Sequence, residues 1–590
     1  MTTENFQVDL RGIVEILSHH LYSSPRVYVR ELIQNARDAL VARERAELPT
    51  PQHAATPPIE LIVDEAHHAL GVRDTGIGLS ESEARQLLST IGASSKRGEF
   101  AQARRDYLGQ FGIGLLSCFL VADQIEVFSR SAKSESALTM HWVGSGDGTF
   151  RVTEAPQPLP TPGTLVWVRA RPEDADWVQF DRVELLARQF AQLLPVAITV
   201  RRASDPARAT LVSQRTPAWQ LPEPDAFEWC ERTLGTRVLT SFDIEVPAAG
   251  VRGRAFISAD PNGARSRAGD VVYSAGMFVA DDNTQLVPDW AVFARVVLEA
   301  GSLPLTASRE ALQDTALVKD VRAEIGRQLR ASIESIAAGG GALFQRFIDA
   351  HGTSLLAMAV DDDTMLQFVA RHYAWETSAG RVTLAQMPSR VRYARSIGEF
   401  NSYAPLVAAQ GGMLVNGGYV SGPEVLESYG RSQTRVVIEA FSLRRALEKL
   451  PQAKPEQQAL AQQLHALAQP VLDDIGVALE LRDFVPATML VLAVPKASGA
   501  FEIEQQEDDP WAALLGGATA TPKADPRAKL VLNLRAAAVR ALVQVGDAFV
   551  RDQAVRALYL LSLLQAGQRL TAEDQRVLAD ALGQLVVAAA

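Results

Sequence analysis

Four short segments rich in polar residues or glycine follow one another along the first part of the chain, and their order limits the possible folds more than any other feature. RELIQNARDAL (30–40) reads as a helix, DTGIG (74–78) follows a strand-like run, GQFGIG (109–114) precedes a helical run, and PGTLVWVRA (162–170) reads as a strand. Each segment alone has a simple structural explanation, such as an amphipathic helix or a tight turn. Their order and spacing together point to one binding site.

The helix of residues 30–40 carries three acid or amide side chains on one side. Glu31, Asn35 and Asp38 are spaced by four and then three residues, which places them within an arc of roughly 60° around the helix axis. Leu32 and Ala36 gather on another side. The pattern fits either a solvated polar face or the wall of a site.

The DTGIG segment has the residues that a ring with an amino group would need. Asp74 can accept a hydrogen bond from an exocyclic amine, and Gly76 and Gly78 allow a ring to approach the backbone. Thr164, in the later strand, can add a hydrogen bond at the floor of a pocket. A plain turn and a plain strand threonine are the alternative interpretations.

The GQFGIG segment is suited to a phosphate chain. Its three glycines leave backbone N–H groups free in front of a helix, where these donors and the helix dipole stabilise an anion. The segment is not a Walker loop, because it lacks GK[ST], and it is not a Rossmann fingerprint, because its glycine spacing is reversed. A tight turn that packs a helix on a sheet is the alternative.

In this order the four segments resemble the Bergerat-type ATP-binding fold, which gyrase B, histidine kinases, mismatch-repair ATPases and heat-shock protein 90 chaperones share. The wording is most similar to the heat-shock protein 90 family. Residues 6–40 resemble that family's opening block, and LGQFGIGLLSCFLVAD (108–123) resembles its phosphate loop and following helix. LVPDWAVFARVVLEAGSLPLTASREALQ (286–313) is similar to its middle-domain segment with the catalytic arginine, and KLVLNLRAAAVRAL (529–542) is more faintly similar to its dimerisation domain.

The resemblance implies a multidomain α+β protein. Its parts would be an N-terminal Bergerat-type α/β sandwich that binds ATP, an α/β middle domain with the arginine loop, and a mostly helical C-terminal dimerisation domain. The expected bounds are 1–205, 206–445 and 446–590, with a lid near 80–108 and a flexible segment at 498–528. The Pro-rich and polar stretch 201–227 is expected to contain a linker.

The resemblance also implies a role for each matching residue. Glu31 would be the general base that aligns or deprotonates the attacking water. Asn35 would complete the shell of a magnesium ion that bridges the phosphates, since Mg²⁺ suits such oxygen ligands. Asp74 would hold the adenine amino group, with Thr164 and Gly78 nearby.

The remaining implied residues lie around the phosphates. Arg309 would reach from the middle domain towards the γ-phosphate, with Gln313 one turn further on, and Asp38 matches another pocket residue of the family. The β- and γ-phosphates would be wrapped by the loop Gly109, Gln110, Phe111, Gly112, Ile113 and Gly114. The chain departs from the family in the lid, where Leu87 replaces the usual asparagine and Ala93 the usual lysine.

Composition excludes several classes of protein. The net charge of −11 argues against a surface built to hold nucleic acid or an anionic membrane. Two cysteines cannot form a disulfide framework, and no Cys/His cluster predicts a metal site. The start MTTENFQVDLRG does not read as a secretory signal, and no apolar run approaches the ~20 residues that cross a bilayer. We therefore expect a cytoplasmic protein of a compact, bacterial type.

The function expected from the resemblance is that of an ATP-hydrolysing chaperone that clamps unfolded or partly folded client proteins as a homodimer. The helices at the end of the chain, including TAEDQRVLADALGQLVV (571–587), would form the dimer interface, and Trp511 in the flexible segment would contact clients. A DNA-handling ATPase of the gyrase B or mismatch-repair type is the main alternative. A histidine kinase using His19 or His20 and a catalytically inactive clamp are further alternatives.

Overall fold

The protein is described by a computed structural model in which the chain forms two compact units, Met1–Phe347 and Ile348–Ala590. The structure describes residues 24–49, 57–87, 114–134, 137–261, 269–494, 527–565, 570 and 572–589. Several predictions therefore lie outside the described residues: the phosphate loop 109–113, Ala93, the two histidines 19 and 20, Thr571, and the flexible segment up to residue 526 with Trp511.

The described part of the first unit opens with a helix, α1 (Val27–Arg45), which packs on an eight-stranded sheet. The strand order is β5-β4-β3-β6-β2-β1-β7-β8; β1 and β7 pair in parallel, and the other neighbours pair antiparallel. The strands are β1 (Ile59–Asp64), β2 (Ala69–Asp74), β3 (Gln124–Arg130), β4 (Met140–Ser145), β5 (Phe150–Glu154), β6 (Gly163–Arg169), β7 (Ile198–Arg202) and β8 (Ala209–Leu211). Two further helices belong to this region, α2 (Glu81–Leu87) and α3 (Phe180–Ala191).

Helix α1 is held against the sheet by its apolar face. Tyr28, Leu32 and Ile33 are almost fully buried in the core, together with residues of α3 and of the 3₁₀ segment Gly114–Leu120. The hydroxyl of Tyr28 donates to the carbonyl oxygen of Trp177 over 2.8 Å. This packing fixes the rotation of α1 about its axis and so decides where the polar residues of RELIQNARDAL lie.

The expected linker at 201–227 is instead part of the core, which corrects the prediction. The segment contains the end of β7, strand β8 and a 3₁₀ turn, and Val212, Ala218 and Trp219 are buried in the same apolar cluster as α1. Proline and polar residues mark turns here, but the apolar residues between them pack inwards. The predicted boundary at residue 205 falls just before β8, the edge strand of the first sheet.

A second sheet completes the first unit, with strand order β12-β11-β13-β10-β9. Phe256, Tyr273 and Val297 from this sheet belong to the same apolar cluster as α1 and α3, so the two sheets share one core. The elements are helix α4 (Glu223–Leu234), β9 (Val238–Val246), β10 (Val251–Ser258), β11 (Asp270–Ser274), β12 (Met277–Asn283), β13 (Ala294–Glu299) and helix α5 (Ala316–Gly339). Helix α6 (Gly341–Ala359) follows, and the boundary between the units falls within it.

The second unit holds two smaller sheets, one of order β15-β14-β17-β16-β18 and one of order β19-β21-β20. Its elements are α7 (Asp363–His372), β14 (Ala374–Thr377), β15 (Gly380–Thr383), β16 (Arg390–Ala394), α8 (Ile397–Ala409), β17 (Leu414–Asn416), α9 (Gly422–Ser432), β18 (Val437–Ala440), α10 (Leu443–Glu448), α11 (Gln458–Asp473), β19 (Val477–Arg482), β20 (Val491–Val494), β21 (Ala528–Asn533), α12 (Ala537–Ala541), α13 (Ala548–Gln565) and α14 (Ala572–Ala589). The region after residue 446 is thus not purely helical, because KLVLN forms the central strand β21. None of the helices in the described part of the chain is long and apolar enough to span a membrane.

Candidate functional site

Glu31 lies near the start of α1 and is 4% exposed, although it carries an acid. Its Oε1 accepts hydrogen bonds from Nε and Nη2 of Arg30, at 3.2 and 3.0 Å. Its Oε2 accepts from Nη1 of Arg309, at 3.3 Å. A buried carboxylate needs such partners, because its burial without them would cost several kcal/mol (order of magnitude).

Arg309 reaches Glu31 from the tip of a tight loop. Leu305 and Leu312 form an isolated antiparallel bridge that closes the loop, and the N–H of Arg309 donates to the carbonyl oxygen of Thr306 over 3.0 Å. Arg309 itself has a left-handed backbone with φ of 56°. A positive φ is uncommon for residues other than glycine, and such backbone conformations are often found at functional sites.

The loop is anchored to α1 by main-chain contacts as well. Nη2 of Arg30 donates to the carbonyl oxygen of Ser308 over 2.6 Å, and Nη1 donates to that of Arg309 over 3.4 Å. Arg30 also lies over the ring of Phe190 on α3, 5.9 Å from its centroid. One buried arginine therefore holds both the carboxylate of Glu31 and the backbone of the arginine loop.

Gln34, one turn after Glu31, is a second partner of Arg309. Its Oε1 accepts a hydrogen bond from Nη1 of Arg309, and its Nε2 is buried with no hydrogen-bond partner among the described residues. The residue is 1% exposed. A buried amide with an unused donor leaves a group that can bind an added acceptor, such as a phosphate oxygen or a water molecule.

Gly114 borders the same group of side chains. A methyl group at this position would lie 2.6 Å from Oε2 of Glu31. The last glycine of GQFGIG therefore lies next to the carboxylate of Glu31. Two arginines and one carboxylate also leave an excess of positive charge, which favours an anionic ligand.

Asp74 ends β2 and lies at a second group of polar residues. In the sheet register Asp74 is opposite Thr164 on β6, and Thr164 is opposite Ser129 on β3. The Oγ1 of Thr164 and the Oγ of Ser129 are 3.0 Å apart, and Ser129 Oγ accepts from the N–H of Leu79 over 2.8 Å. Three neighbouring strands thus present an acid and two hydroxyls side by side.

The carboxyl group of Asp74 is 7% exposed, and burial raises its pKa to about 7. Hydrogen bonds from the backbone N–H groups of Gly76 and Thr164 and the charge of Arg43 act in the opposite direction. Oδ1 accepts from the N–H of Gly76 over 2.7 Å. Near neutral pH the group is balanced between an acceptor form and a donor form, so its charge state controls what it can bind.

The DTGIG turn is tightly packed against its surroundings. Gly78 has φ of 62°, and a methyl group there would lie 2.0 Å from the carbonyl oxygen of Arg130. Arg43, near the end of α1, donates to the carbonyl oxygens of Thr75 and Gly76 over 2.8 and 3.1 Å. The turn is therefore held in one shape by α1 on one side and by β3 on the other.

Two family models match this chain. "Histidine kinase-, DNA gyrase B-, and HSP90-like ATPase" matches residues 22–158, which include Glu31 and Asp74. "Hsp90 protein" matches residues 266–394, which include Arg309.

Curated relatives named "Chaperone protein HtpG" are also similar to the chain. The protein of Nitratidesulfovibrio vulgaris is 27% identical over 370 residues, covering 59% of this chain and 57% of the relative. That of Legionella pneumophila subsp. pneumophila is 25% identical over 422 residues (66% and 67%), and that of Myxococcus xanthus is 28% identical over 426 residues (66% and 64%).

The chain is thus similar to heat-shock protein 90 chaperones, both through these two family models and through these relatives. The matched region spans about 57–67% of the length of these three relatives. The fold agrees with the predicted architecture: the region matched by the ATPase model mixes helices and strands, a further α/β region follows, and the end of the chain is rich in helices.

The structure brings some of the predicted site residues together. Glu31, Arg309 and Gly114 meet around one carboxylate, and Asp74 lies beside Thr164. Gly78 also joins the second group, because a methyl group there would lie 3.1 Å from the carbonyl oxygen of Gly163, the residue before Thr164.

Other predicted residues are placed differently. Gln313 was expected one helical turn after Arg309, but the backbone there is the bridged loop, and helix α5 begins only at Ala316. The amide of Gln313 is exposed and donates to the carbonyl oxygen of Leu305 over 2.7 Å. Asn35 is exposed on α1, and Asp38 is partly exposed, 3.9 Å from the guanidinium of Arg37.

The residues that sequence reasoning missed are Arg30, Gln34, Arg43 and Ser129. Arg30 and Gln34 could have been found, since they flank Glu31 in RELIQ and Gln34 shares its helix face at a spacing of three. Ser129 carries no such signal, because its neighbourhood depends on the register of β3 against β6. Arg43 likewise acts on a turn that is remote in sequence.

The residues present suit a nucleotide with Mg²⁺. A buried acid beside hydroxyls is the chemistry that recognises an amino-bearing ring, and a glycine beside an arginine-rich group is the chemistry that accepts phosphates. The described residues contain no cluster of three or more Cys, His, Asp or Glu side chains that could hold a metal by themselves. Mg²⁺ does not require one, because it usually keeps several waters and binds through one or two protein ligands plus phosphates.

Proposed function

We propose that this chain is an ATP-dependent molecular chaperone of the heat-shock protein 90 type, which acts as a homodimeric clamp on unfolded or partly folded proteins in the cytoplasm. One observation carries the proposal: Arg309, from the region that matches the Hsp90 model, contacts Glu31, in the region that matches the ATPase model. A cross-domain contact of this kind supports a site that is completed when two parts of the chain meet.

In this proposal Glu31 is the general base and Arg309 the phosphate-binding cation. Both oxygens of Glu31 now accept hydrogen bonds from arginines. Arg309 would exchange its bond with Oε2 for one to a terminal phosphate oxygen, which frees Oε2 to accept a proton from water. Arg30 keeps its two bonds to Oε1 and so holds the carboxylate in place during the exchange.

The other residues bind and orient. Asp74 in its ionised form would accept from the adenine amino group, and Thr164 and the backbone at Gly78 would border the ring. Asn35 would offer an amide oxygen to Mg²⁺ at the exposed side of α1, where waters complete the shell. Bound ATP supplies the phosphoanhydride bond, and Mg²⁺ neutralises phosphate charge.

The decisive experiment compares Glu31→Ala with the parent chain. Loss of a positioned general base typically lowers the rate ~10²–10⁴-fold, while ATP binding, measured by isothermal titration, is expected to persist. Glu44→Ala is the matched control, because Glu44 is an exposed acid on the same helix. Retained turnover in Glu31→Ala would contradict the assigned base.

A second assay separates the chaperone from a DNA-handling ATPase. Turnover is measured with a heat-unfolded protein and, separately, with double-stranded DNA. We expect the unfolded protein to change the rate and to stay soluble in the presence of the chain and ATP, and we expect DNA to have no effect. Stimulation by DNA alone would overturn the chaperone assignment and leave the ATPase assignment intact.

A further inference from the structure

A cavity of about 560 Å³ lies in the first unit, between helix α3, helix α4, the segment before α4 and the second sheet. Its described lining contains none of the residues assigned to the nucleotide site. Its volume is in the range of ~300–1,000 Å³ that is usual for small-molecule sites. Its walls come from α3, which packs on α1, and from α4, which packs on β9, so the cavity adjoins both sheets of the unit.

The polar part of the cavity is cationic. Arg188, Arg215 and Arg232 line it, and none of the described residues that line it is acidic. Two of the arginines have carboxylate neighbours one helical turn away: Arg188 is 2.7 Å from Glu184, and Arg232 is 3.3 Å from Glu228. Exposed pairs of this kind are worth only ~0–1 kcal/mol and leave most donors of the guanidinium available. Because the whole chain has a net charge of −11, a positively charged cavity calls for a specific explanation.

The inner part of the cavity is aromatic and rigid. Tyr273 is 3% exposed, packs edge-on against Phe278 at 5.9 Å between ring centroids, and lies 6.1 Å from the ring of Trp219. Trp229 stacks on Phe256, with 6.4 Å between centroids. Aromatic side chains held in this way form a preformed surface for an apolar or planar group.

A buried donor lies at the boundary between the two parts. The hydroxyl oxygen of Tyr273 accepts a hydrogen bond from Nε2 of Gln192 over 2.9 Å. Burial raises the pKa of Tyr273 to about 12, so the phenol keeps its proton at neutral pH. The hydrogen bond from Gln192 holds the phenol oxygen in place. The O–H of Tyr273 can still donate a hydrogen bond to a ligand oxygen.

We propose that this cavity binds a small amphipathic organic anion. Its carboxylate, phosphate or sulfonate group is held by Arg215 and Arg232, and its apolar or aromatic body lies on Trp229 and Tyr273. Guanidinium groups suit such oxyanions because they offer several donors in one plane and remain charged. The inference is independent of the proposed ATP site and of client binding.

Two fluorescent probes with the same ring system test the site in the full-length chain. 8-Anilinonaphthalene-1-sulfonate carries the anionic group, and N-phenyl-1-naphthylamine lacks it. In Arg215→Ala/Arg232→Ala, we expect the affinity for the sulfonate probe to fall at least tenfold and that for the neutral probe to change less than twofold. Both arginines are exposed, so the fold is expected to persist, and an unchanged thermal midpoint verifies it.

Two further variants locate the binding. Thr233→Trp places a large side chain at an exposed position of the cavity lining and should weaken both probes. Arg208→Ala removes an exposed arginine outside the cavity and should weaken neither. The proposal is overturned if the double variant binds the sulfonate probe as tightly as the parent, if Arg208→Ala causes the same loss, or if Thr233→Trp leaves both probes unaffected.

Discussion

Nη1 of Arg309 lies 3.3 Å from Oε2 of Glu31, although 278 residues separate the two along the chain. Both side chains are largely buried, with 11% and 5% of their surfaces exposed. Asp314, an acid close to Arg309 in sequence, pairs with Lys319 over 3.1 Å. The contact joins the two regions that the family models match, and this is why Arg309 is the most informative residue to change.

Arg309→Ala is expected to lower ATP turnover at least tenfold while leaving ATP affinity within about twofold. An arginine supplied to a transferring phosphoryl group is worth ~10³–10⁵-fold in other nucleotide hydrolases, and slow closure of the chain would reduce the observed factor here. Steady-state ATPase assays and calorimetric titration measure the two quantities. Arg327→Ala, an exposed arginine on α5, serves as control. Wild-type turnover in Arg309→Ala would exclude a catalytic role.

Much of the fold was predictable from local patterns. The hairpin β1–β2, strand β6 and helices α1 and α5 follow directly from alternation or helical spacing of apolar residues. The 201–227 segment was mistaken for a linker because prolines and charges hide Val212 and Trp219, whose burial depends on partners from the second sheet. KLVLN was grouped with helices because its pairing with β19 and β20 is not local.

Some residues of the candidate site were likewise predictable from local sequence, and others were not. Glu31 and Asp74 belong to recognisable segments, and Arg30 and Gln34 lie in the same segment as Glu31. The role of Ser129, in contrast, depends on its three-dimensional contact with Thr164. Gln313 was misplaced because a helix was assumed after Arg309. The bridge between Leu305 and Leu312 closes a loop there instead, and sequence spacing does not reveal it.

Gln34→Ala is expected to lower turnover about three- to tenfold through Arg309, because the substitution removes an acceptor that orients its guanidinium. Each lost hydrogen bond to a charged group is worth ~1.5–3 kcal/mol when its partner stays buried, and Glu31 retains part of this orientation. A double-mutant cycle with Arg309→Ala is the measurement. The two substitutions should not be additive, since they remove the same contact. Full additivity would show that Gln34 acts independently of Arg309.

ATP affinity is expected to fall as the pH decreases through about 7, because burial raises the pKa of Asp74 to about 7 and only the ionised carboxylate is a pure acceptor. Asp74→Asn should bind ATP weakly and lose this pH dependence. Calorimetric titration between pH 6 and 8.5 tests both statements. Asp123→Asn, at an exposed carboxylate, is the control and should keep the pH profile of the parent.

The raised pKa of Asp74 should also make the stability of the fold depend on pH, but in the direction opposite to that of ATP affinity. The folded-state pKa lies above the ordinary aspartate value of 3.8, so the stability from Asp74 is complete below that value and is lost as the pH rises through about 7. Without nucleotide, Asp74→Asn should therefore gain stability relative to the parent between pH 5 and 8. A constant difference in unfolding midpoint over this range would contradict the raised pKa.

Gly78→Ala should destabilise the chain more than Gly235→Ala, although both glycines have φ of 62°. Gly235 directly follows α4, and no atom of the described residues lies within 4 Å of a methyl group added there, so only the left-handed backbone contributes, about 1–2 kcal/mol. At Gly78 the methyl group would also lie 2.0 Å from the carbonyl oxygen of Arg130, which adds about 1–3 kcal/mol. Urea unfolding compares them. Equal losses would mean that the DTGIG turn relaxes without cost.

The last helix, α14, is expected to form the dimer interface. Ala581 is buried, but Leu582, Val586 and Val587 are 51%, 68% and 78% exposed, a run of apolar surface that a monomer would leave in water. Leu561 and Leu564 on α13, which packs on α14, add to it with 38% and 46% exposure. Two such helices from each copy would bury this surface in a four-helix interface.

If α14 forms the interface of a dimer, Leu582→Glu/Val586→Glu should leave the chain monomeric in light scattering at micromolar concentration, because charges buried without partners oppose association. A chain that ends near residue 525 should also be monomeric. Gln584→Glu, an exposed position on the same helix, adds a charge without removing apolar surface and should leave the dimer intact. ATPase turnover at concentrations where the parent is dimeric then shows whether pairing of the chains is needed for hydrolysis. If the double variant and the shortened chain both remain dimeric, the interface lies elsewhere in the molecule.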